Sequence, residues 1–550
     1  MSAEESYDVV IIGSGSAACS AALRAAKGGL TVLVIEKSDK LGGTSAMSGA
    51  GIWIPANHVA ERAGIADSRD EALAYLRGAS PEGWAETEDG LWQAFVEHGP
   101  DMLRFLEENT PLDLRLIEEP DPMVEVAGGK LRGRMVSPMP LSRNLLGADA
   151  KWLRRSTLPH SFTYQEITDH DVYHHPIMAG MKLWPKLLWR KLTNRGGQGT
   201  ALMTGLIRGC KDAGVTFRRE VTATRLLQDE MGGIAGVEVS DHFEARRLMA
   251  RRGVVIASGG FEWDAALRSR HFPGKIDRIG SPRSNTGDGQ RMAAEVGARL
   301  ERMDQANIYP CLPTKYEGHR HGLPMTYQTE PHSIIVNRHG RRFCSETDFN
   351  IGEYLDARDP QTGENIHLPC FLIGDRRMLK GSLPFLWYQS YEKGWVKRAK
   401  TLPELAEKLG LPTEALAETV TRFNGFCETG VDADFGRGDS AWESYKAHAS
   451  GPAPASGPEA AAAKGLGRIE EGDFVGMVMN LTTIGTKGGA RCNAKGQALR
   501  ADGSIITGLY AAGLAMANPI GTRAVGAGTT IGPNMTWGYI AAETMLAQNR

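Results

Sequence analysis

The first forty residues carry the clearest alternation of apolar and polar positions. Asp8 to Ile12 is a short run of β-branched residues, which predicts a buried strand. Gly13 and Gly15 turn the chain. Ser16 to Gly28 is alanine-rich and predicts a helix; Thr31 to Ile35 predicts a second strand that Glu36 ends. Strand, helix and strand in this order open a parallel βαβ unit. Further on, Leu91, Phe95, Met102, Leu103 and Leu106 predict helix, interrupted at Gly99-Pro100. Residues 110–200 are irregular and rich in Pro, His and Trp. The alternation then returns, with a helix over 201–213, strands over 215–221 and 236–240, and "GVVIASGG" (253–260) as a strand running into a glycine turn. Residues 305–478 change character. They carry more Pro, Tyr and Trp and two helical stretches near 402–410 and 413–427. They end in "GPAPASGPEAAAAKGLG", which reads as a surface loop or linker; strand and glycine signals return at "GLYAAG" (508–513), followed by a final helix. No fixed-period repeat is present. The pattern predicts an α/β domain split in sequence over 1–304 and 479–550, with an α+β domain inserted at 305–478.

Composition narrows the classes. The chain has 550 residues, and length alone suggests three or four domains unless one large α/β domain carries insertions. Lys plus Arg number 63 against 65 Asp plus Glu, a net charge of −2, which argues against nucleic-acid binding. The 66 glycines exceed the typical ~7% and sit in tight clusters, as expected where backbone approaches a ligand. Seven scattered cysteines, with no CxxC, point away from disulfides and zinc and towards a reducing cytoplasm. The acidic N-terminus lacks a signal-peptide pattern, and no apolar run reaches the ~18 residues of a spanning helix.

Chemistry enters at Gly13-Ser14-Gly15-Ser16-Ala17-Ala18, with Glu36 ending the next strand. Gly13 permits a tight turn, Gly15 lets a pyrophosphate approach, and Ala18 lets helix and strand pack closely. The helix N-terminus offers free N–H groups to phosphate, and Glu36 suits a ribose. A glycine turn without a ligand is the bland alternative; the position between strand and helix, with the acid in register, favours dinucleotide binding. A second cluster, "GGTSAMSGAGIWIP", starts at Gly42 and suits a longer cofactor whose ring must be wrapped.

Together with "VVIASGGFEWD", "SNTGDGQRMAAEVGA", "SIIVNRHGRRFCSE", "DADFGRG" and "TIGPNMTWGYIAA" in that order, these motifs resemble the FAD-dependent fumarate reductase and 3-ketosteroid dehydrogenase superfamily. "GAGTTIGP" and "GAGIWIP" look most like its ketosteroid dehydrogenase branch. The resemblance covers most of the chain. It implies a Rossmann-like FAD domain with an inserted substrate domain closing over the flavin. It also implies non-covalent FAD, since relatives with covalent flavin use a histidine where this chain reads "SDKLGGT". The cofactor residues it implies are Lys37, Gly42, Gly43, Thr44, Ser45, Ser48, Gly49, Ala50, Gly51 and Ile52 after the Gly13–Ala18 turn and Glu36. Beyond these come Val221, then Ala257, Ser258 and Gly259, then Thr286, Gly287 and Asp288. Ala512, Gly513, Ala527, Gly528, Thr529 and Ile531 complete the set. The reaction implied is desaturation of a cyclic ketone: a base removes the α proton, hydride leaves the β carbon for flavin N5, and donors hold the carbonyl oxygen.

The chain departs from that family at its tyrosines. The tyrosine that shares the carbonyl oxygen with a glycine N–H is Ala524 here, while the glycine is kept as Gly528. The position of the base tyrosine is Asn350, which cannot act as a base near neutral pH; a shift of register offers Asp348. A third tyrosine is absent from "EEPDPMVEVAGG". Arg523, beside Ala524, is a candidate to hold the ketone oxygen or a substrate carboxylate, against turning outwards or binding phosphate. Tyr327 and His332 are candidates for the cleft or for packing, as are the unplaced phenols Tyr164 and Tyr173. Asp169, His170, His174 and His175 lack metal-ligand spacing, so no metal is expected. "MKLWPKLLWRKL" (181–192) could touch a membrane, but Pro185 breaks a clean amphipathic helix, which favours a lid or subunit contact. The expected partners are a lipophilic ketone and an unidentified electron acceptor; membrane contact is at most peripheral, and homo-oligomerisation stays open. A cyclohexanone-type ketone, an ene-reductase with Arg523 binding an acid, and a flavin-binding protein without turnover are the rival readings.

Overall fold

In the computed structural model, a parallel sheet grows outwards from the first strand. The structure describes residues 5–172, 175–241, 245–272, 276–324, 327–381, 388–447 and 457–548. Glu5–Ile12 lies between Val32–Glu36 and Ala245–Ile256 and is parallel to both, with Val9 opposite Val32 and Ile12 opposite Ile256. Thr216–Arg219 and Ile505–Ala511 extend this parallel core on either side. Val9, Val10 and Ile11 are fully buried, which explains the unbroken apolar run: a strand covered on both faces cannot alternate. The first half of Ala245–Ile256 pairs antiparallel with Ile234–Ser240, which in turn pairs with Thr222–Gln228.

The two ends of the chain meet. Helix Ser16–Lys27 packs on helix Ile531–Ala547, where the Ser20 hydroxyl donates to the Met535 carbonyl at 2.8 Å. A methyl at Gly538 would run into the Ala17 carbonyl, so the helices approach to backbone contact. The C-terminal segment thus completes the sheet and helix layer begun by the N-terminal one, and residues between them form the rest.

That intervening region holds a sheet ordered Ser333–Val336, Phe371–Gly374, Phe474–Val478 and Val396–Ala399, with helices Leu402–Leu409 and Thr413–Thr429 burying Leu405, Leu416 and Phe423. Strands Ala306–Tyr316 and Asn480–Thr486 pair antiparallel at its base. Phe261 and Phe272, from the N-terminal side, share a core with Met477 and Leu481. Packing therefore continues across positions 304 and 479, which a change of composition cannot reveal.

The structure explains two motifs that carried no chemistry. Arg342 and Glu346 of "RRFCSE" and Asp432 and Arg437 of "DADFGRG" form one buried network. Arg342 Nη2 lies 2.9 Å from Glu346 and 2.8 Å from Asp432, and Arg437 Nη1 lies 3.2 Å from Glu346. Glu346 also accepts from the Ile335 N–H at 3.0 Å. Asp348 follows Glu346 by two residues, so the network fixes where that carboxylate emerges.

Three local expectations are corrected. Gly99-Pro100 does not interrupt its helix, which runs from Ala85 to Asn109; burial of Trp92, Phe95, Met102 and Leu103 along one face outweighs the lost hydrogen bond. Pro185 likewise sits inside a helix, Pro176–Leu192. Within the linker-like stretch, Pro458–Ala463 is helical, and 451–456 lie outside the described residues.

Candidate active site

A long cavity follows the carboxyl ends of the parallel strands, where such sheets bind ligands. At one end it is lined by Gly13, Ser14, Gly15, Ser16, Ala17, Glu36 and Lys37. Gly13 has φ +107° and its amide donates to the Ile35 carbonyl at 2.8 Å. Glu36 accepts from the Ser14 hydroxyl at 2.6 Å and from the Ser38 N–H at 2.9 Å. Burial raises the Glu36 carboxyl above its ordinary range, and these donors oppose the shift. Lys37 reaches across to Asp288 and Thr286, both at 2.5 Å.

The middle of the cavity is walled by Gly43, Thr44, Ser45, Ser48, Gly49, Ala50 and Gly51, with Val221, Ala257, Ser258, Gly259 and Asp288 opposite; Gly513, Gly528 and Ile531 close the far end. Other expected cofactor residues sit behind this wall. Ala18 and Ile52 are fully buried, and the Gly42 amide donates to the Ser14 hydroxyl at 3.0 Å. Thr286 holds Lys37, Gly287 caps a helix with φ +74°, and Ala512 donates to the Ile256 carbonyl at 2.9 Å. Sequence reading missed Met135, Ser284, Asn285, Asn307, Tyr309 and Asn534, which also line the cavity, as does Tyr164, one of the unplaced phenols. Met135, Asn307 and Tyr309 lie on strands, Ser284 and Asn285 precede helix Asp288–Glu295, and Asn534 sits in the first turn of helix Ile531–Ala547; none carries a residue-type signal of its own.

The walls fit FAD. A side-chain carbon at Gly15 or Gly43 would find no protein atom nearer than 3.6 Å, so the glycines leave room for something other than protein. Ser258 Oγ and Asn534 Oδ1 are buried on the wall with no hydrogen-bond partner among the described residues, as groups awaiting a polar ligand would be.

A smaller chamber of about 250 Å³ adjoins the far end. Gly528, Tyr164, Asn307, Tyr309 and Thr530 line both spaces. Asp348, Glu119, Trp442, Lys446, Ala524, Ala527 and Thr529 line the chamber alone. Gly528 has φ +91°, and a side-chain carbon there would lie 2.6 Å from the Gly51 backbone. Its carbonyl accepts from Gly532 N at 3.0 Å and Trp53 N at 3.3 Å, which fixes the peptide. Burial raises the Asp348 carboxyl above its ordinary range; the Asn350 N–H at 2.6 Å and the Tyr354 hydroxyl at 3.3 Å act against it. Burial also raises the Tyr309 phenol, which keeps it protonated. Nothing in the sequence distinguished Tyr309 from other tyrosines; only the strand Ala306–Tyr316 brings it between the two spaces.

Other candidates are placed elsewhere. Arg523 lines neither space; its Nε pairs with Glu353 at 2.8 Å, half-exposed. Asn350 does not present its amide to the chamber but clamps the Ala524 backbone, donating to its carbonyl at 3.2 Å and accepting from its N–H at 2.8 Å. Tyr327 is not brought to either space: it is buried in the second core, edge-on to Trp395. His332 contacts the Arg468 carbonyl, and His175 caps helix Pro176–Leu192 beside Asp171. Tyr173 and His174 lie outside the described residues. Among the described residues no three His, Cys, Asp or Glu side chains are grouped to hold a metal.

The loop 519–528 is held at several of its carbonyls. Trp92 donates to Pro519 at 3.0 Å, Lys487 to Gly521 at 2.5 Å and Tyr75 to Val525 at 2.7 Å. Side-chain carbons at Gly521 and Gly526 would strike Trp84 and Trp53. These two glycines therefore admit tryptophans, and of the loop only Gly528 faces both spaces.

A dinucleotide turn, a glycine-walled cavity and a chamber at its far end are the features of a flavin-dependent oxidoreductase. Comparison with known proteins agrees. The family model for the FAD binding domain matches residues 8–531. The chain is 36% identical to a 3-oxosteroid 1-dehydrogenase of Mycolicibacterium smegmatis, over 98% of this chain and 97% of that protein. It is 35% identical to a 4-oxocyclohexanecarboxylate 2-dehydrogenase of Sinomonas cyclohexanicum, over 98% and 93%. The solved 3-ketosteroid delta1-dehydrogenase of Sterolibacterium denitrificans, in complex with 1,4-androstadiene-3,17-dione, superposes with a TM-score of 0.87 at 30% identity, covering 99% of this chain and 100% of that one. The chain belongs to the FAD-binding-domain family, in the branch that holds these flavoprotein dehydrogenases. It is an FAD-dependent dehydrogenase.

Proposed function

We propose that the protein introduces a C=C bond α,β to the carbonyl of a cyclic ketone. The observation that carries this reading is the chamber that shares Gly528 and Tyr309 with the cofactor cavity and has Asp348 on its wall. The Gly528 N–H and the Tyr309 hydroxyl are the donors for the ketone oxygen, standing in for the tyrosine that Ala524 lacks. Donors aimed at an oxygen that gains charge stabilise the enolate-like transition state. Asp348 is the base: burial raises its carboxyl towards the range in which it can take and release a proton. When bound, FAD supplies the ring that accepts hydride. A space of about 250 Å³ suits the reacting ring, and a larger substrate would extend beyond it.

FAD is held without a covalent bond in this reading, supported by the lack of any histidine or cysteine among the described residues lining the cavity. No disulfide joins the seven buried cysteines, which supports a reducing compartment.

Anaerobic titration of the purified yellow protein tests the reaction. A saturated cyclic ketone, either a steroid 3-ketone or cyclohexanone, is expected to bleach the flavin. Bleaching by neither, with reoxidation of reduced flavin by an enoate, would transfer the assignment to ene reduction.

A further inference from the structure

Helix Pro176–Leu192 exposes an apolar stripe that the core does not use. Ile177, Met181, Trp184, Leu188 and Leu192 follow one another at spacings of four, three, four and four, which puts them on one face. All five are exposed, Trp184 at 61% and Leu192 at 77%, and Trp189 widens the stripe at 51%. The buried residues Ala179, Leu183 and Arg190 mark the opposite side, where Arg190 is tied to Glu166 at 2.6 Å. This one helix holds seven of the fifteen large exposed apolar side chains among the described residues, so the patch is not a random scatter.

Its charge points to one kind of partner. The helix carries Lys182, Lys186 and Lys191, all exposed, and no acidic residue. Lys186 lies 3.6 Å from Glu166, while Lys182 and Lys191 flank the stripe. Exposed tryptophans with flanking lysines match the boundary between acyl chains and anionic headgroups. Among the described residues no helix is long and apolar enough to cross a membrane, so this one would lie in the surface plane. At its N-terminal end Pro176 and Ile177 line a largely apolar cavity, whose far wall (Thr44, Ser48, Gly49 and Ile484) is shared with the cofactor cavity.

We propose that helix Pro176–Leu192 docks the protein on an anionic lipid surface, apolar stripe down and lysines on the headgroups. A molecule dissolved in the bilayer then has an apolar path towards the cofactor cavity. The proposal goes beyond the reading of the reaction and does not depend on it, because docking is measured without turnover.

The test is co-sedimentation of the FAD-loaded protein with vesicles of phosphatidylcholine alone or mixed with phosphatidylglycerol. The double variant Trp184→Glu/Leu188→Glu is compared, with flavin content and visible spectrum as checks on folding. The expected result is binding to the mixed vesicles, weakened by high salt and reduced on the order of tenfold or more in the flavin-replete variant. A second variant, Lys182→Gln/Lys191→Gln, is expected to lose the preference for phosphatidylglycerol. Wild-type protein that stays in the supernatant overturns the proposal, as does a double variant that still pellets. A wild-type dimer that the double variant dissociates, seen by light scattering without vesicles, also overturns it and assigns the stripe to a second copy.

Discussion

Asp348 and Arg523 are adjacent in the problem but not in role. Asp348 stands on the chamber wall with its carboxyl raised by burial, so Asp348→Asn is expected to keep FAD and lose about 10²–10⁴-fold in turnover. Stopped-flow reduction by the ketone measures this directly. Arg523 forms a half-exposed pair with Glu353, and such pairs contribute about 0.2–1 kcal/mol. Arg523→Ala and Glu353→Ala are therefore expected to change kcat/KM by the same small factor. A loss of ~2 kcal/mol or more in the arginine variant alone would put the guanidinium on the ketone after all.

Lys487 is a different kind of residue. It is fully buried, donates to the Gly521 carbonyl, and its amine is lowered from 10.5 to about 7 by burial. Between those values the unfolded chain holds a proton that the folded chain has released. Stability therefore rises with pH from about 7 to 10.5, by up to about 1.4 kcal/mol per pH unit, and the difference is constant below that window. Denaturant titrations across this range should show wild type gaining on Lys487→Met as pH rises. Parallel curves would mean that the amine stays charged.

At the scale of elements, the buried network of Arg342, Glu346, Asp432 and Arg437 ties the strand Ser333–Val336 to the loop after helix Thr413–Thr429. Removing one partner leaves charge buried without compensation, so Asp432→Ala is expected to destabilise the protein by about 3–5 kcal/mol. Because the chain passes from Glu346 to Asp348 in two residues, the variant should also lower turnover in the fraction that stays folded. Thermal melts and activity at low temperature separate the two effects. The Asn350 clamp on Ala524 works in the same direction: its amide is part of the loop's scaffold.

At the scale of the molecule, the cofactor cavity is built from the first βαβ unit, the 253–260 turn, the 284–288 segment and the C-terminal helix entry. Filling it joins segments from both ends of the chain. Removal of FAD is expected to lower stability by about 4 kcal/mol relative to protein at a thousandfold Kd, restored by added FAD but not by nicotinamide dinucleotides. A melting temperature unmoved by FAD would mean that the folded protein does not bind it in preference to the unfolded chain, and would overturn the cofactor site.

Local pattern was enough for the dinucleotide end of the site. Gly13, Gly15 and Glu36 lie within thirty residues of one another, and the chemistry of a tight turn, a helix N-terminus and an acid at a strand end is written in that spacing. The final helix and its meeting with the first strand's layer were legible as a return of strand and glycine signals. The chamber was not. Tyr309, Tyr164, Asp348 and Gly528 come from four distant segments, and no residue type or period marks them as neighbours. The glycines of 519–528 looked alike in the sequence, yet Gly521 and Gly526 make room for tryptophans and only Gly528 faces both spaces. Helix Pro176–Leu192 makes the same point on the outside. Pro185 predicted a break in it; the structure carries the helix through Pro185, with Ala179, Leu183 and Arg190 buried on one side. The sequence alone determined dinucleotide binding, and by resemblance FAD, because a pyrophosphate is recognised by backbone geometry and a ribose by one acid over a short span. Only the tertiary structure decided which side chains line the chamber beside that cavity, because they come from segments hundreds of residues apart.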